Sequence, residues 1–142
     1  MDAFDADVLI YAIAPGHPLG RRVAALFLSG QGGSEPTDPV GTGSLLLLPE
    51  VLSKPYRDGN DGEVEELGDL LERLVLRPLD RVTAELASSL GATYRLRAPD
   101  SVHLATAVRA GADRFITNNR RDFPTSITEV AVTYPEDLPD PA

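Results

Sequence analysis

A layered α/β fold in a single domain is predicted for this chain from three observations. Short apolar segments alternate with stretches of helical periodicity, no repeat or low-complexity tract interrupts them, and 142 residues at 42% hydrophobic content can bury one core. Residues 3–5 read as a very short strand leading into a helix over 8–13, and 18–29 as a second helix stopped by Gly30. The Gly-, Pro- and Ser-rich stretch "GQGGSEPTDPVGTGS" (30–44) reads as a mobile loop with room for a short strand. "LLLLPEVLSK" (45–54) is predicted helical, with Pro49 in the first turn or at a kink, because proline in a helix interior costs about 3 kcal/mol.

Over 63–75, Leu67, Leu70, Leu71, Leu74 and Val75 share one face at i, i+3, i+4 spacing while the acids take the other, which predicts a structural helix. A strand at 76–79, helices over 83–94 and 99–110, and strands at 114–117 and 130–133 complete the reading, and the tail "YPEDLPDPA" is expected to fray.

Composition narrows the chemistry. No apolar run approaches the roughly 18–20 residues of a membrane span, and the N-terminus lacks the basic start and cleavage site of a signal peptide, so a cytoplasmic location is expected. Without cysteine there is no disulfide, thiolate nucleophile or Cys-type zinc site, and two distant histidines make a poor zinc cage. Any metal should be held by oxygen. A net charge of -9 argues against a general nucleic-acid coat protein, whose affinity comes from Lys and Arg displacing counterions, but leaves a nuclease open. Lys54 is the only lysine. Arg suits bidentate phosphate contacts, and a compositional bias explains the preference equally well.

Four acids stand where a short apolar segment meets a turn or helix start. "FDADVLIYAI" sets Asp5, with Asp7 beside it, at the mouth of an apolar run, where a charge costs several kcal/mol unless it is paired or binds a cation. In "APDSVHLATAVRAGA", Pro99 suits the first helical position and Gly111 the C-terminal cap, which puts Asp100 in the first turn. An acid there favours the helix dipole by roughly 0.3–1 kcal/mol and need do nothing else, yet Asp100 shares a stripe with Leu104, Ala107 and Val108, the face expected to be buried.

Glu50 sits inside "LLLLPEVL", as a costly buried acid or a simple exposed helix residue. In "FITNNRRDF" the strand ends in Thr117, Asn118, Asn119 and, further on, Asp122, at the carboxyl edge where open α/β sheets place their crevice; turn residues and a surface acid are the plainer alternatives. Converging carboxylates would repel one another unless a divalent cation neutralised them, and oxygen donors select Mg²⁺ or Mn²⁺, a setting suited to phosphodiester hydrolysis.

"FDADVLIYAI", "LLLLPEVL", "LRAPDSVHLATAVRAGADRFITNN" and the following "RRDF" resemble, in order along nearly the whole chain, the PIN-domain ribonucleases, in particular VapC-type toxins of bacterial toxin–antitoxin pairs. The resemblance implies a three-layer α/β/α fold with a mainly parallel sheet over 1–142, and Mg²⁺- or Mn²⁺-dependent endoribonuclease activity. It makes Asp5 and Asp100 the metal ligands, with Glu50 completing the pocket directly or through water. Many members carry Asp after Thr-Asn, where this chain has Asn119; the chain is similar to a Thr-Asn-Asn variant that moves the role to Asp122, with Asn119 as the fallback. Thr117, Asn118 and Asn119 would contact substrate phosphate or water.

Asp7, where the family often has Asn or Ser, takes a supporting or backbone hydrogen-bonding role. His103 reads as a hydrogen-bonded helix residue and His17 as a solvent loop residue. Arg95, Arg97, Arg120 and Arg121 suit RNA phosphates or plain solvation. The resemblance further implies an RNA substrate, a cognate antitoxin that inserts Arg or bulk into the pocket, and a homodimer.

Three other classes compete. A haloacid-dehalogenase-like phosphatase starts with Asp-x-Asp but needs a Thr or Ser motif and a later lysine, and a receiver domain needs a lysine near its last strands; Lys54 serves neither. The third is a catalytically idle PIN scaffold that binds a protein or RNA.

Overall fold

Phe4 and Ala3 point to opposite faces of the first strand, and this alternation builds the molecule outward in two directions. The strands are β1 (Asp2–Phe4), β2 (Gly41–Ser44), β3 (Leu74–Arg77), β4 (Arg114–Ile116) and β5 (Ala131–Thr133). They form one sheet in the order β3-β2-β1-β4-β5, every pair parallel, in a computed structural model that describes residues 1–28 and 38–141. The helices are α1 (Ala6–Ile13), α2 (Pro18–Leu28), α3 (Leu47–Arg57), α4 (Asp61–Glu72), α5 (Arg81–Tyr94) and α6 (Ala98–Arg109).

Phe4 and Ile116 pack with Val8, Val23, Leu47 and Leu67 of α1–α4, whereas Ala3 and Phe115 pack with Leu90 of α5 and Leu104 of α6. The result is the expected three-layer α/β/α arrangement, its sheet wholly parallel. Asp2 clamps Arg114 through two hydrogen bonds of 2.9 and 2.8 Å, tying the start of β1 to the start of β4.

The strand β2, reading GTGS, is buried throughout although its composition suggests a loop. A Cβ on Gly41 would stand 2.5 Å from the Phe4 ring and 2.6 Å from the Asp2 carbonyl oxygen, and one on Gly43 would stand 2.4 Å from Leu47 Cδ1. Glycine here lets large side chains lie against the strand backbone. Thr42 Oγ1 donates to Val75 O at 2.8 Å and accepts from Arg77 Nε at 2.9 Å, stitching β2 to β3. The expected mobility of 30–37 and the end of the second helix at 29–30 lie outside the described residues.

A similar close approach joins α1 to α2, where a Cβ on Gly20 would fall 1.9 Å from the Tyr11 carbonyl oxygen. Gly20→Ala should therefore destabilise the fold by about 1–3 kcal/mol, seen as a lower urea midpoint at unchanged slope, because backbone rather than a flexible side-chain end must move. An unchanged midpoint would refute this packing. His17 lies in the loop before α2 as expected, but it is half-buried rather than free in solvent: it stacks on Tyr11 at 4.6 Å and accepts the Gly20 N–H at 3.1 Å, which caps the first turn of α2.

Other differences from the sequence reading have local causes. The helix expected to reach residue 75 ends at Glu72, and Leu74 and Val75 belong to β3, two residues earlier than the predicted strand. Arg73 makes the break: its N–H caps α4, its guanidinium donates to the carbonyls of Asp38 and Phe27, and its carbonyl accepts Val40 N–H at 2.8 Å. Pro49 is the third residue of α3, where the missing N–H would have had no helical partner, so no kink is needed.

The tail is docked rather than frayed. Leu138 is buried, and Arg22 Nη1 donates to the carbonyls of Glu136 and Leu138 at 3.1 and 2.7 Å. Among the described residues no helix is long and apolar enough to cross a membrane.

Candidate functional site

With β1 central, the chain builds β2 and β3 on one side and then returns to place β4 and β5 on the other, so the order reverses between β1 and β4. At such a switch point the connections leave in opposite directions and open a crevice beyond the carboxyl ends of the strands. Asp5 follows β1 and Thr117 follows β4, so the fold delivers both to that edge.

Asp5 is held from three directions. Its N–H donates to Ile116 O at 2.9 Å, its Oδ1 accepts the Ala6 N–H at 2.8 Å as the N-cap of α1, and its Oδ2 accepts from Thr117 Oγ1 at 2.8 Å. Thr117 Oγ1 in turn accepts the Asn119 N–H at 3.1 Å. Asn119 spends its side chain on Asp122: Nδ2 donates to Asp122 Oδ2 at 3.0 Å and Oδ1 accepts the Asp122 N–H at 3.2 Å. Phe123, buried edge-on against Phe115 at 5.0 Å, anchors this loop. Asn119 is thus a holder of Asp122.

Asp7 Oδ2 accepts the Asn118 N–H at 3.1 Å, which is the backbone role expected of it, but Asp7 Oδ1 is buried without a partner. Asp100 lies in the first turn of α6, half-buried, with Pro99 second in the helix and Gly111, at φ 66°, just past its end. Glu50, on the first turns of α3, is hydrogen-bonded through Oε1 to Nε2 of His103, one turn along α6 from Asp100. The structure therefore brings Asp5, Glu50, Asp100, Asp122 and the Thr117–Asn119 segment into one neighbourhood.

The charges register one another. Burial raises the Asp5 carboxyl above its usual range, and Glu50 adds to the rise, against the opposing pull of His103 and the two hydrogen bonds. Burial and the Asp5 charge push Asp7 up to about 7. Asp100 is raised by burial and then by Asp5 and Asp122. For His103, burial pulls the imidazole down, but the Glu50 hydrogen bond and the charges of Asp5, Glu50 and Asp100 outweigh it and the net shift is upward.

His103 is the hydrogen-bonded helix residue that the sequence predicts, and its partner, Glu50, is what the sequence does not show. The available signal was its i, i+3 relation to Asp100, which sets both on one helix face. Of the arginines, Arg120 lies 4.2 Å over the Tyr134 ring and pairs with Glu136, while the exposed Arg97 precedes α6 and draws the Asp100 carboxyl down.

A family model for the PIN domain matches residues 3–125, which takes in all four acids. The chain belongs to the PIN domain family. PIN domains are generally nucleases, and PIN nucleases generally use divalent metals. Among solved structures, the chain is similar to a toxin–antitoxin complex from Klebsiella pneumoniae (TM-score 0.70, 22% identity, 95% of this chain and 98% of that one). It is similar also to VapBC2 from Rickettsia felis bound to a DNA fragment from their promoter (0.71, 14%, 94% and 97%), and to FitAB bound to an IR36 DNA fragment (0.69, 17%, 100% of both). At these identities the likeness is one of fold. A search of curated proteins gave no match.

The donors of this PIN domain fit a hard cation. They are carboxylates, burial first and neighbouring negative charge second raise the pKa values of Asp5, Asp7 and Asp100, and a buried Asp7 oxygen has no partner. Asp5 keeps unused lone pairs, since each of its oxygens accepts one hydrogen bond. Among the described residues no three acid or histidine side chains form a ready cage. Mg²⁺ does not require one, because it commonly takes one or two carboxylates and fills its sphere with water and substrate phosphate.

Proposed function

We propose that this PIN domain is a Mg²⁺- or Mn²⁺-dependent endoribonuclease that hydrolyses RNA phosphodiester bonds and serves as the toxin of a toxin–antitoxin pair. The observation that carries the reading is the gathering of Asp5, Glu50, Asp100 and Asp122 at the switch point between β1 and β4, in a chain without cysteine. Asp5 and Asp100 would hold the cation. Bound there, a divalent cation supplies a more acidic water and charge stabilisation at the scissile phosphate.

The chain's own residues do the rest. Thr117 fixes the Asp5 carboxylate, Asn119 fixes that of Asp122, and Asp122 and Glu50 complete the acidic wall that orients water; Asn118 and the loop backbone meet the substrate. Single-stranded or loop RNA is the favoured substrate, since A-form grooves hide base edges. The solved toxin–antitoxin complexes of the same fold support an antitoxin partner, and a basic antitoxin side chain in the acidic pocket would satisfy the same charges as a cation. A homodimer in the cytoplasm completes the reading.

The test is cleavage of structured RNAs by wild type and Asp100→Asn with Mg²⁺, with Mn²⁺ and with EDTA. Wild type should cut only with metal, and Asp100→Asn should be slower by about 10²-fold or more, the scale of losing one charge-stabilising group. Equal cleavage by both, or cleavage that survives chelation, would sink the metal mechanism. The second reading, an idle scaffold, is favoured by one observation, the engagement of Glu50 with His103 rather than with the other acids. Two inert proteins that both bind a small partner would support it.

A further inference from the structure

His103 is not a satisfied core histidine. Its side chain is 1% exposed, and its Nδ1 is buried without a partner, a defect that costs about 1–3 kcal/mol and that an apolar residue would avoid. It stands in the buried run Ser101–Ala107 of α6, so the ring is fixed by packing. The group it holds is the opposite: the Glu50 side chain is 36% exposed and has three rotatable bonds. A rigid donor thus meets a movable acceptor, beside Asp5 and Asp100. While Glu50 is engaged there, the described residues present no three-donor cluster.

We propose that His103 is a positioning residue that parks Glu50: Nε2 holds the carboxylate in the cation-free pocket, and Glu50 exchanges this hydrogen bond for the coordination sphere of a divalent cation, directly or through water. The proposal rests on the reading of the pocket as a cation site. It makes His103 a competitor of the metal for one carboxylate, so the pocket's affinity is set partly by a residue that never touches the cation. The ring is in place for such competition: its Nε2 already holds Glu50 Oε1, and Asp100 stands one turn earlier on the same helix.

The experiment is calorimetric titration of the full chain with Mn²⁺, in a double-mutant cycle of His103→Leu and Glu50→Gln, with folding checked by circular dichroism. His103→Leu should bind Mn²⁺ at least about five-fold more tightly, and in the Glu50→Gln background the same change should move affinity less than about two-fold, since interaction through a shared partner is what the cycle isolates. His103→Gln, which keeps a donor near the Nε2 position, should stay within about two-fold of wild type, as a donor-based parking role requires. If His103→Leu does not fold, His103→Asn, too short to reach Glu50, takes its place in the cycle.

An unchanged affinity in the single variant, an undiminished effect in the Glu50→Gln background, or a His103→Gln that behaves like His103→Leu would each overturn the parking role while leaving the cation site intact. A wild type that binds no Mn²⁺ would remove the cation reading and this proposal with it.

Discussion

Asp5→Asn should abolish RNA cleavage, by about 10²–10³-fold or more in kcat, while the metal-free protein keeps its fold. Both halves follow from the position of the carboxylate. It is 6% exposed, the most buried of the four acids, and its oxygens are already fixed by Ala6 N–H and Thr117 Oγ1, so it offers a hard cation a rigid ligand at no further ordering cost. An amide in its place keeps one oxygen for the Ala6 cap, as Asn is itself a good N-cap residue, but removes the charge that would draw the proposed cation. Burial pushes the Asp5 pKa up, which means that the ionised form is held against a desolvation cost; the neutral amide escapes that cost and loses one acceptor. Stability in EDTA should therefore change little, as read by thermal melting beside the cleavage assay. Retained cleavage, or a variant that is inactive because it is unfolded, would each contradict this account.

Such a site was legible in the sequence because each acid sits at an element boundary. Asp5 after the apolar pair Ala3–Phe4, Asp100 just after Pro99, and the polar run from Thr117 after Phe115–Ile116 are local signals, and a parallel sheet with reversed order turns them into one edge. What was not legible depends on contacts between distant segments. The GTGS strand carries no branched residue because Phe4 and Leu47 need the space over Gly41 and Gly43, so propensity reads it as loop. The run from Leu67 to Leu76 is apolar on both sides of the break at Arg73, and only the bonds of Arg73 to Asp38, Phe27 and Val40 show where helix gives way to strand. His103 looks like any helix histidine until Glu50 arrives 53 positions earlier in the chain.

Raising the pH from about 4 to about 7 should cost the metal-free protein stability, and Asp7→Asn should remove a large part of that loss. Asp7 has one oxygen on the Asn118 N–H and one buried without a partner, and burial followed by the Asp5 charge lifts its pKa from 3.8 to about 7. Below pH 3.8 the group is protonated in folded and unfolded chains alike and contributes nothing to the difference. Above it the unfolded chain releases the proton first, so the folded state is penalised increasingly until its own carboxyl ionises near 7, after which the penalty is constant.

The rise corresponds to about 4 kcal/mol at most, and about 2–4 kcal/mol once partial exposure is allowed for. The amide of Asn can still accept the Asn118 N–H and carries no charge. In urea titrations with EDTA from pH 4 to 8, the stability of Asp7→Asn minus that of wild type should be near zero at the acid end, grow through the interval and level off above pH 7. Asp5, Asp100 and His103 remain in both proteins, so the difference reports position 7 together with its electrostatic interaction with Asp5 and Asp100. Added Mg²⁺ or Mn²⁺ should narrow the gap, because a bound cation offsets the same negative charge. A gap constant with pH, or one that shrinks as pH rises, would show that the Asp7 carboxylate carries no such strain.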